Sequence, residues 1–424
     1  NGTVTGVEDS VRGVEKFLGI PYAEPPVGER RLRQAMPLTI PHGSLYADHF
    51  GPSCYSARNQ GVASEDCLTL NIWRPTNHST NGTNGTLPVL VWLYGGGLTN
   101  GYTADPRFEG TQITRISSRI GKPVILVTVN YRLGPFGFLN GKEMAALGLL
   151  NIGMLDQRLA LHWIQENIGA FGGDPKKVTL AGESAGAVSI YSHMMAYGGR
   201  DDGLFRGAIL QSGGAFPLTP PDTAEFQSTF DALIVNTSCA SFVGSSAEEK
   251  LACIRKLPVD VFRSKAESAT GQSIDGDFSR TSVQRAFPAG EFVKVATIVG
   301  TNTDEGTTSA PTGINTTQQL GYFRPQLLPN ETVSTLIDLY SPDHRLGCPY
   351  NTGLTTFSSG SLDKMACSIF GDIVQVAPAR MLAQSLAKAS VPVYMYRFNH
   401  LPHNTSAPLK AIGTGVEQSY VFSN

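Results

Sequence analysis

The 424 residues carry 33 basic and 35 acidic side chains, and 41% of them are hydrophobic. The net charge is −2 and no basic run occurs. The sequence therefore lacks the clustered positive charge of a nucleic-acid-binding protein or of a protein held on an anionic membrane. No apolar run approaches the ~18 residues that a transmembrane helix needs, so the sequence predicts a globular protein without a transmembrane segment.

Asparagine and cysteine usage is typical of the secretory pathway. Eight Asn-X-Ser/Thr sequons predict N-linked glycans, and they lie at Asn1, Asn77, Asn81, Asn84, Asn236, Asn315, Asn330 and Asn404. An even number of cysteines beside so many sequons favours disulfides over the alternative, buried free thiols. Six cysteines permit fifteen connectivities, and pairing of sequence neighbours predicts Cys54–Cys67, Cys239–Cys253 and Cys348–Cys367. We therefore expect a secreted, extracellular glycoprotein.

Apolar, β-branched strands and helices alternate along the chain. Strands are predicted at residues 88–94, 123–130, 178–181, 207–211, 296–300 and 391–398, and helices at 155–167, 185–196 and 376–389. Such alternation indicates an α/β fold with a mostly parallel central sheet and helices on both faces. Residues 217–291 interrupt this alternation of strands and helices and are predicted to be an inserted, cap-like segment. We expect residues 1–424 to form one domain.

A serine flanked by glycines follows the third of these strands. Residues 182–186 read Gly-Glu-Ser-Ala-Gly, between strand 178–181 and the next predicted helix. This is the pattern of a nucleophile elbow, in which a sharp strand-to-helix turn strains the serine and leaves no room for Cβ atoms two residues away on either side. Chance matches occur in glycine-rich chains, but the flanking strand and helix favour Ser184 as the nucleophile of an α/β-hydrolase.

Longer runs around this turn resemble a known family. Residues 171–175 and 178–186 (Phe-Gly-Gly-Asp-Pro, then Val-Thr-Leu-Ala-Gly-Glu-Ser-Ala-Gly), 65–71 (Glu-Asp-Cys-Leu-Thr-Leu-Asn) and 17–26 (Phe-Leu-Gly-Ile-Pro-Tyr-Ala-Glu-Pro-Pro) are similar to motifs of the type-B carboxylesterases, which include cholinesterases and fungal lipases. The resemblance extends to the run Tyr-Val-Phe at 420–422. It implies an α/β-hydrolase that cleaves esters, with disulfides at the first two cysteine pairs. Family members continue well past this run, so we expect the domain to lack its C-terminal end.

Ester cleavage needs N–H donors for the oxyanion of the tetrahedral intermediate. The N–H of Ala185, directly after the nucleophile, is one candidate, and the glycine run 95–97 after strand 88–94 offers others. By itself that run could be a plain glycine turn. The resemblance points to Gly96 and Gly97, and it shows one departure, Leu98 where the family usually has Phe.

An acidic residue must orient the base of a catalytic triad. Residues 300–306 (Gly-Thr-Asn-Thr-Asp-Glu-Gly) follow a predicted strand and are similar to the family's acid motif, which points to Glu305. Asp304 is then a structural cap. An acidic pair after a strand is otherwise commonly a solvated loop.

The histidine of the triad is missing from its expected position. The family shows His-X-X-Glu shortly before Tyr-Val-Phe, and counting back from Glu417 places Thr414 where the histidine belongs. His400 and His403 have the wrong spacing, and His162 and His193 fit packing positions. Two hypotheses remain open: the protein is a catalytically silent binding or adhesion module, or the sequence omits segments near residues 268–278 and 410–418. The second is favoured.

We therefore predict a secreted serine esterase or lipase that forms an acyl-enzyme on Ser184. The substrate is a small-molecule or lipid ester. No cofactor or metal is predicted, because no Cys/His cluster has ligand spacing, and no nucleic-acid partner is expected. The sequence predicts neither the acyl specificity nor the oligomeric state.

Overall fold

A nine-stranded sheet lies at the centre of the fold. The computed structural model describes residues 2–39, 43–58, 62–76, 85–213, 218, 220–266, 271–320, 330–401 and 411–423. The strands are β1 (Thr3–Thr5), β2 (Val7–Asp9), β3 (Val14–Pro21), β4 (Ser44–Tyr46), β5 (Ser53–Cys54), β6 (Ala63–Ser64), β7 (Thr69–Pro75), β8 (Leu87–Leu93), β9 (Ile125–Val129), β10 (Gly173–Glu183), β11 (Gly207–Gln211), β12 (Ala296–Asn302) and β13 (Val393–Phe398).

The order across the large sheet is β13-β12-β11-β10-β8-β9-β7-β3-β2. Strands from β13 to β9 run parallel, whereas β7, β3 and β2 join them through antiparallel pairs. Gln211 pairs with both Glu183 and Gly300, so the carboxyl ends of β10, β11 and β12 lie side by side. Functional groups of parallel sheets collect at this edge.

Helices cover both faces of the sheet. They are α1 (Thr111–Arg119), α2 (Gly134–Phe138), α3 (Lys142–Ala146), α4 (Ile152–Asn167), α5 (Ala185–Gly199), α6 (Ala224–Val235), α7 (Ala247–Lys256), α8 (Val259–Ala266), α9 (Val283–Ala289), α10 (Thr317–Leu320), α11 (Asn330–Leu339), α12 (Asp363–Gly371), α13 (Ala377–Lys388) and α14 (Gln418–Phe422). A π-helical turn, Asp372–Val376, joins α12 to α13. No helix of the described residues is long and apolar enough to cross a membrane.

Two cores form because successive side chains of a strand point to opposite faces of a sheet. Val91 packs with Ala160 of α4 and Ile190 of α5, whereas the next residue, Trp92, packs on the other face with Phe108 and Phe422. The predicted α/β sheet with helices on both faces is thus confirmed, and the antiparallel strands at one side are an addition that the sequence analysis did not predict.

The inserted segment is helical. Helices α6, α7 and α8 bury Phe230, Ile254 and Phe262 in a third core that also contains Phe136 of α2. An ion pair between Lys250 and Glu143, 2.7 Å long, ties α7 to α3. The insertion therefore packs on the loops beyond the sheet edge.

The predicted element boundaries differ from the observed ones at a few ends. Helix α4 begins at Ile152, three residues before the prediction, after Asn151 in a left-handed conformation. Strand β10 spans Gly173–Glu183 rather than residues 178–181. In α13 Pro378 lies in the first turn, as predicted, directly after the π-helical turn Asp372–Val376.

Candidate active site

Ser184 lies in a strained turn between β10 and α5. Its backbone has φ 53° and ψ −121°, which is outside the regions that side-chain-bearing residues prefer. The Ser184 N–H donates to the carbonyl of Gln211 at 2.9 Å, which fixes the turn to β11. Among the described residues, none donates to or accepts from the Ser184 Oγ.

The two flanking glycines allow this turn because the chain passes too close for side chains. A Cβ on Gly186 would lie 1.9 Å from the carbonyl oxygen of Leu93, and a Cβ on Gly182 would lie 2.7 Å from the carbonyl carbon of Gly186. Both distances are far inside van der Waals contact. The local geometry is that expected of a nucleophile elbow.

The glycine run after β8 lies against the Ser184 turn. A Cβ on Gly95 would be 3.0 Å from the Cβ of Ser184. Gly96 and Gly97 have φ of 110° and 67°, and the Gly96 carbonyl accepts from the N–H of Asn100 at 3.0 Å. This closed turn brings the backbone of residues 95–97 beside the serine, where N–H donors could meet an oxyanion. Leu98, the departure from the family pattern, is buried in the core around Trp92.

Glu305 is a buried carboxylate with three hydrogen bonds. Its Oε1 accepts from the Ser212 Oγ and from the Asn302 N–H, both at 2.7 Å, and its Oε2 accepts from the Thr414 Oγ1 at 2.6 Å. Burial raises the pKa of Glu305, while the bonds from Thr414, Asn302 and Ser212 counter that rise because they stabilise the charged form. The carboxylate is therefore held in one orientation at the sheet edge.

The predicted cap at Asp304 is absent, because its side chain makes no capping hydrogen bond to the turn that begins at Glu305, and the carboxylate ties loops together instead. Its Oδ1 accepts from the N–H of Tyr350 at 2.9 Å, and its Oδ2 accepts from the N–H of Ile412 at 3.0 Å. These bonds tie two loops to the end of β12. Because Ile412 lies two residues before Thr414, Asp304 also helps to place Thr414 against Glu305.

Glu183 and Glu417 lie near Glu305 and form a buried carboxyl cluster with it. The Gln418 Nε2 donates to the Glu183 Oε2 at 2.6 Å, and the Asn302 Nδ2 donates to the Glu417 Oε2 at 2.5 Å. Burial raises the pKa of Glu183 and of Glu417, and the neighbouring carboxylates Glu417 and Glu305 raise that of Glu183 further. Burial and the repulsion between like charges together favour the neutral form of Glu183.

Sequence reasoning missed Ser212, Asn302 and Gln418 as partners of these carboxylates. The sequence held a signal for two of them. Ser212 directly follows the predicted strand 207–211, and Asn302 lies two residues after the predicted strand 296–300. Polar residues at such strand ends collect at one sheet edge. Gln418 gave no comparable signal.

No described histidine lies in contact with Ser184 or Glu305. His193 is buried in α5, its Nε2 lies 3.0 Å from the Gln157 Oε1, and burial lowers its pKa to about 3. His162 is exposed on α4, and His400 packs against the rings of Phe398 and Tyr420. His403 falls outside the described residues. Of the two stretches where an omission is expected, 268–278 and 410–418, residues 268–270 and 410 also fall outside the described residues.

Two of the three predicted disulfides are present. Cys54–Cys67 and Cys239–Cys253 are bonded. The third prediction was wrong: Cys348 and Cys367 are free, buried thiols. The Cys348 Sγ instead points towards the Asp304 Oδ1, 3.8 Å away. Sequence proximity favoured the bond, but the loop that carries Cys348 is fixed by its bonds to Asp304 and to Ser368.

Of the eight predicted glycosylation sites, Asn236 and Asn315 have exposed side chains that the structure describes. The other sequon asparagines, or their side chains, fall outside the described residues. Among the described residues no group of acidic, cysteine and histidine side chains is arranged to hold a metal ion.

Comparisons with known proteins decide the family. The sequence profile described as "Carboxylesterase family" matches residues 1–424. The chain belongs to the carboxylesterase family. It is therefore a serine-type carboxylic ester hydrolase, and its predicted α/β-hydrolase fold is confirmed.

Fungal lipases and esterases are among the proteins similar to this carboxylesterase. "Secreted lipase 1" of Botryotinia fuckeliana is 35% identical, covering 90% of this chain and 73% of that protein. "Lipase 1" of Geotrichum candidum is 31% identical, covering 90% and 76%. The crystal structure of Aspergillus niger EstA superposes with a TM-score of 0.86 at 28% identity, covering 99% of this chain and 80% of that one.

Proposed function

We propose that Ser184 is the nucleophile of this ester hydrolase and that Glu305 is its triad acid. In this mechanism the Ser184 Oγ attacks the ester carbonyl, and the N–H groups of Gly96, Gly97 and Ala185 stabilise the oxyanion. Water then hydrolyses the acyl-enzyme. The observation that carries the proposal is the strained Ser184 backbone, φ 53°, with the glycine turn packed against its Cβ.

Thr414 occupies the place that we propose for the base. Its hydroxyl donates to the Glu305 Oε2, the carboxylate oxygen that is not bonded to Ser212 or Asn302. A threonine hydroxyl does not accept a proton near neutral pH, whereas an imidazole does. Loss of a triad base reduces turnover by up to roughly 10⁶-fold. The chain as it stands is therefore expected to turn over esters slowly.

Thr414→His tests this assignment directly. We expect the variant to gain at least about 10²-fold in the hydrolysis of 4-nitrophenyl butyrate, because the imidazole can pair with Glu305 and take the Ser184 proton. The matched control is the double variant Thr414→His, Ser184→Ala, which should lose the gain. Labelling of Ser184 by a fluorophosphonate, read by mass spectrometry of the peptide, should accelerate in parallel.

No gain in a Thr414→His variant with an unchanged circular dichroism spectrum would count against the placement of the base. A gain that survives Ser184→Ala would show that another group is the nucleophile.

We also propose that the protein is secreted and carries N-linked glycans. "Secreted lipase 1" of Botryotinia fuckeliana and a "Secreted triacylglycerol lipase" of Gibberella zeae, 33% identical, are relatives. The two disulfides suit an oxidising compartment. Exposed Asn236 and Asn315 are accessible for modification.

A further inference from the structure

The carbonyl of Gly96 accepts three hydrogen bonds from the two residues that end the glycine turn. The backbone N–H of Thr99 donates to it at 3.2 Å, the N–H of Asn100 donates at 3.0 Å, and the Thr99 hydroxyl donates at 3.3 Å. The Asn100 Nδ2 in turn donates to the Thr99 Oγ1 at 3.0 Å, which leaves the hydroxyl hydrogen for the Gly96 carbonyl. Together these bonds fix the direction in which that carbonyl points.

The direction of this carbonyl also fixes the direction of the Gly97 N–H, because the two groups belong to one peptide unit. A trans peptide is planar, so its C=O and N–H point in opposite directions. Gly97 is exposed, and among the described residues no group accepts a hydrogen bond from its N–H. The N–H that we propose as an oxyanion donor is therefore available to a ligand.

The turn that carries this N–H is strained at Leu98. The bond from the Thr99 N–H to the Gly96 carbonyl closes the turn, and both central residues have positive φ, 67° at Gly97 and 62° at Leu98. Glycine adopts such a conformation readily, whereas the Cβ of a leucine crowds the backbone. A strained turn persists only where its surroundings hold it. The buried Leu98 side chain holds one end, and the Thr99 hydroxyl adds a bond at the other.

Asn100 joins the same turn to a second segment of the chain. Its Oδ1 accepts from the backbone N–H of Arg58 at 3.1 Å, and the neighbouring N–H of Ala57 donates to the Thr99 carbonyl at 3.0 Å. Residues 57 and 58 lie in the loop that the Cys54–Cys67 disulfide closes. The side chains of Thr99 and Asn100 thus connect the glycine turn to a loop that is closed by a covalent bond.

We propose that Thr99 and Asn100 are positioning residues that hold the Gly97 N–H towards the oxyanion of the tetrahedral intermediate. This inference rests on the proposed function, in which Ser184 is the nucleophile and Gly97 supplies a donor. The Thr99 hydroxyl acts through the Gly96 carbonyl rather than on the substrate. Because the oxyanion forms only after Ser184 has attacked, loss of this hydroxyl lowers kcat and leaves KM unchanged.

Thr99→Val removes the hydroxyl and keeps the shape of the side chain. The probe is 1,1,1-trifluoro-3-(butylthio)propan-2-one, a ketone whose tetrahedral adduct on a serine carries an oxyanion. We expect its equilibrium affinity for the full chain to fall about tenfold or more, because a misplaced oxyanion donor stabilises the adduct poorly. Titration followed by ¹⁹F NMR measures the adduct without turnover, so Thr414 does not limit the measurement.

Hydrolysis of 4-nitrophenyl butyrate gives the second readout. In Thr99→Val we expect kcat to fall by about the same factor and KM to stay within about twofold of the wild type, as for an interaction made only in the transition state. Thr99→Ser keeps the hydroxyl and should restore both the ketone affinity and kcat to within about threefold of the wild type, since only the lost methyl group separates them. Asn100→Ala should lower both in the same direction as Thr99→Val.

Thr237→Val is the matched control. The Thr237 hydroxyl also donates to a backbone carbonyl, that of Leu233 at 2.8 Å, and it accepts from the N–H of Cys239 at 3.2 Å. Thr237 lies just after α6 in the helical insertion, so the variant should leave the ketone affinity, kcat and KM unchanged.

Equal ketone affinities of the wild type and Thr99→Val would overturn the proposal, as would equal losses in Thr99→Val and Thr99→Ser or in Thr99→Val and Thr237→Val. A rise in KM at unchanged kcat would show a role in substrate binding and overturn it as well. If the wild type formed no adduct, or if the adduct survived Ser184→Ala, the proposed nucleophile would be refuted and this inference with it. An adduct that depends on Ser184 but not on the Thr99 hydroxyl would refute the positioning role alone.

Discussion

At the edge of the sheet, the conformation of a single residue is determined by close contacts of the backbone rather than by side-chain interactions. Ser184 adopts its strained conformation only because the Gly182 and Gly186 positions lack Cβ atoms. The surroundings of Gly186 leave no space for a side chain, since the atoms nearest to a Cβ there belong to the backbone of β8 and of the turn that follows it. Backbone atoms cannot rotate away as a flexible side chain can.

Gly186→Ala should therefore lower the free energy of unfolding by about 1–3 kcal/mol, the usual cost of an overpacked position. Gly169→Ala is the control, because an added Cβ there meets no atom within 4 Å and the φ of Gly169 is not positive. Urea unfolding followed by tryptophan fluorescence measures both. Equal stability of the two variants would show that β8 and α5 can separate without cost.

The carboxyl cluster is a property of several elements together. Glu183 ends β10, Glu305 follows β12, and Glu417 precedes α14. Burial raises the pKa of each carboxyl above its ordinary value of 4.5. The folded protein therefore binds more protons than the unfolded chain does at pH values above 4.5, so the cluster lowers the free energy of unfolding as the pH rises through the folded pKa values.

We predict that the free energy of unfolding rises when the pH falls from about 7.5 to about 5, and that Glu417→Gln reduces this rise. A glutamine removes one of the three charges that repel each other and keeps the size of the side chain. Glu166→Gln, an exposed change on α4, should leave the rise unaltered. Urea titrations at both pH values measure it. A wild-type protein that becomes less stable over this interval would contradict the assignment of the cluster.

At the scale of the whole molecule, the sheet brings together groups that are far apart in the chain. Gly96, Ser184, Glu305 and Thr414 all follow strands or lie beside their carboxyl ends. The helical insertion and the two disulfides hold the loops above this edge. Cys348 and Cys367, in contrast, are buried without bonding to each other.

The native protein should show no thiol that reacts with Ellman's reagent, because both free cysteines are buried and burial raises the pKa of Cys367 to about 12 and that of Cys348 further. Unfolding in guanidinium without reductant should release two reactive thiols, and reduction should raise the number to six. No thiols in the unfolded, unreduced protein would show that Cys348 and Cys367 are oxidised in solution.

The amino-acid sequence by itself determined the alternation of strands and helices, the Ser184 turn and the first two cysteine pairs. These features depend on residues that are close in the chain, or on motifs long enough to be specific. Even the element ends were near the observed ones, apart from β10 and the start of α4.

Only the tertiary structure decided which groups surround Glu305 and that Cys348 and Cys367 do not pair. Ser212, Asn302 and Thr414 reach the same carboxylate from three different elements, and Gln418 reaches Glu183 across 235 positions of sequence. Cys348 and Cys367 are close in sequence, yet they form no disulfide, because Asp304 and Ser368 fix the loop of Cys348. Contacts of this kind depend on strand order and loop placement, which no local pattern of residues specifies.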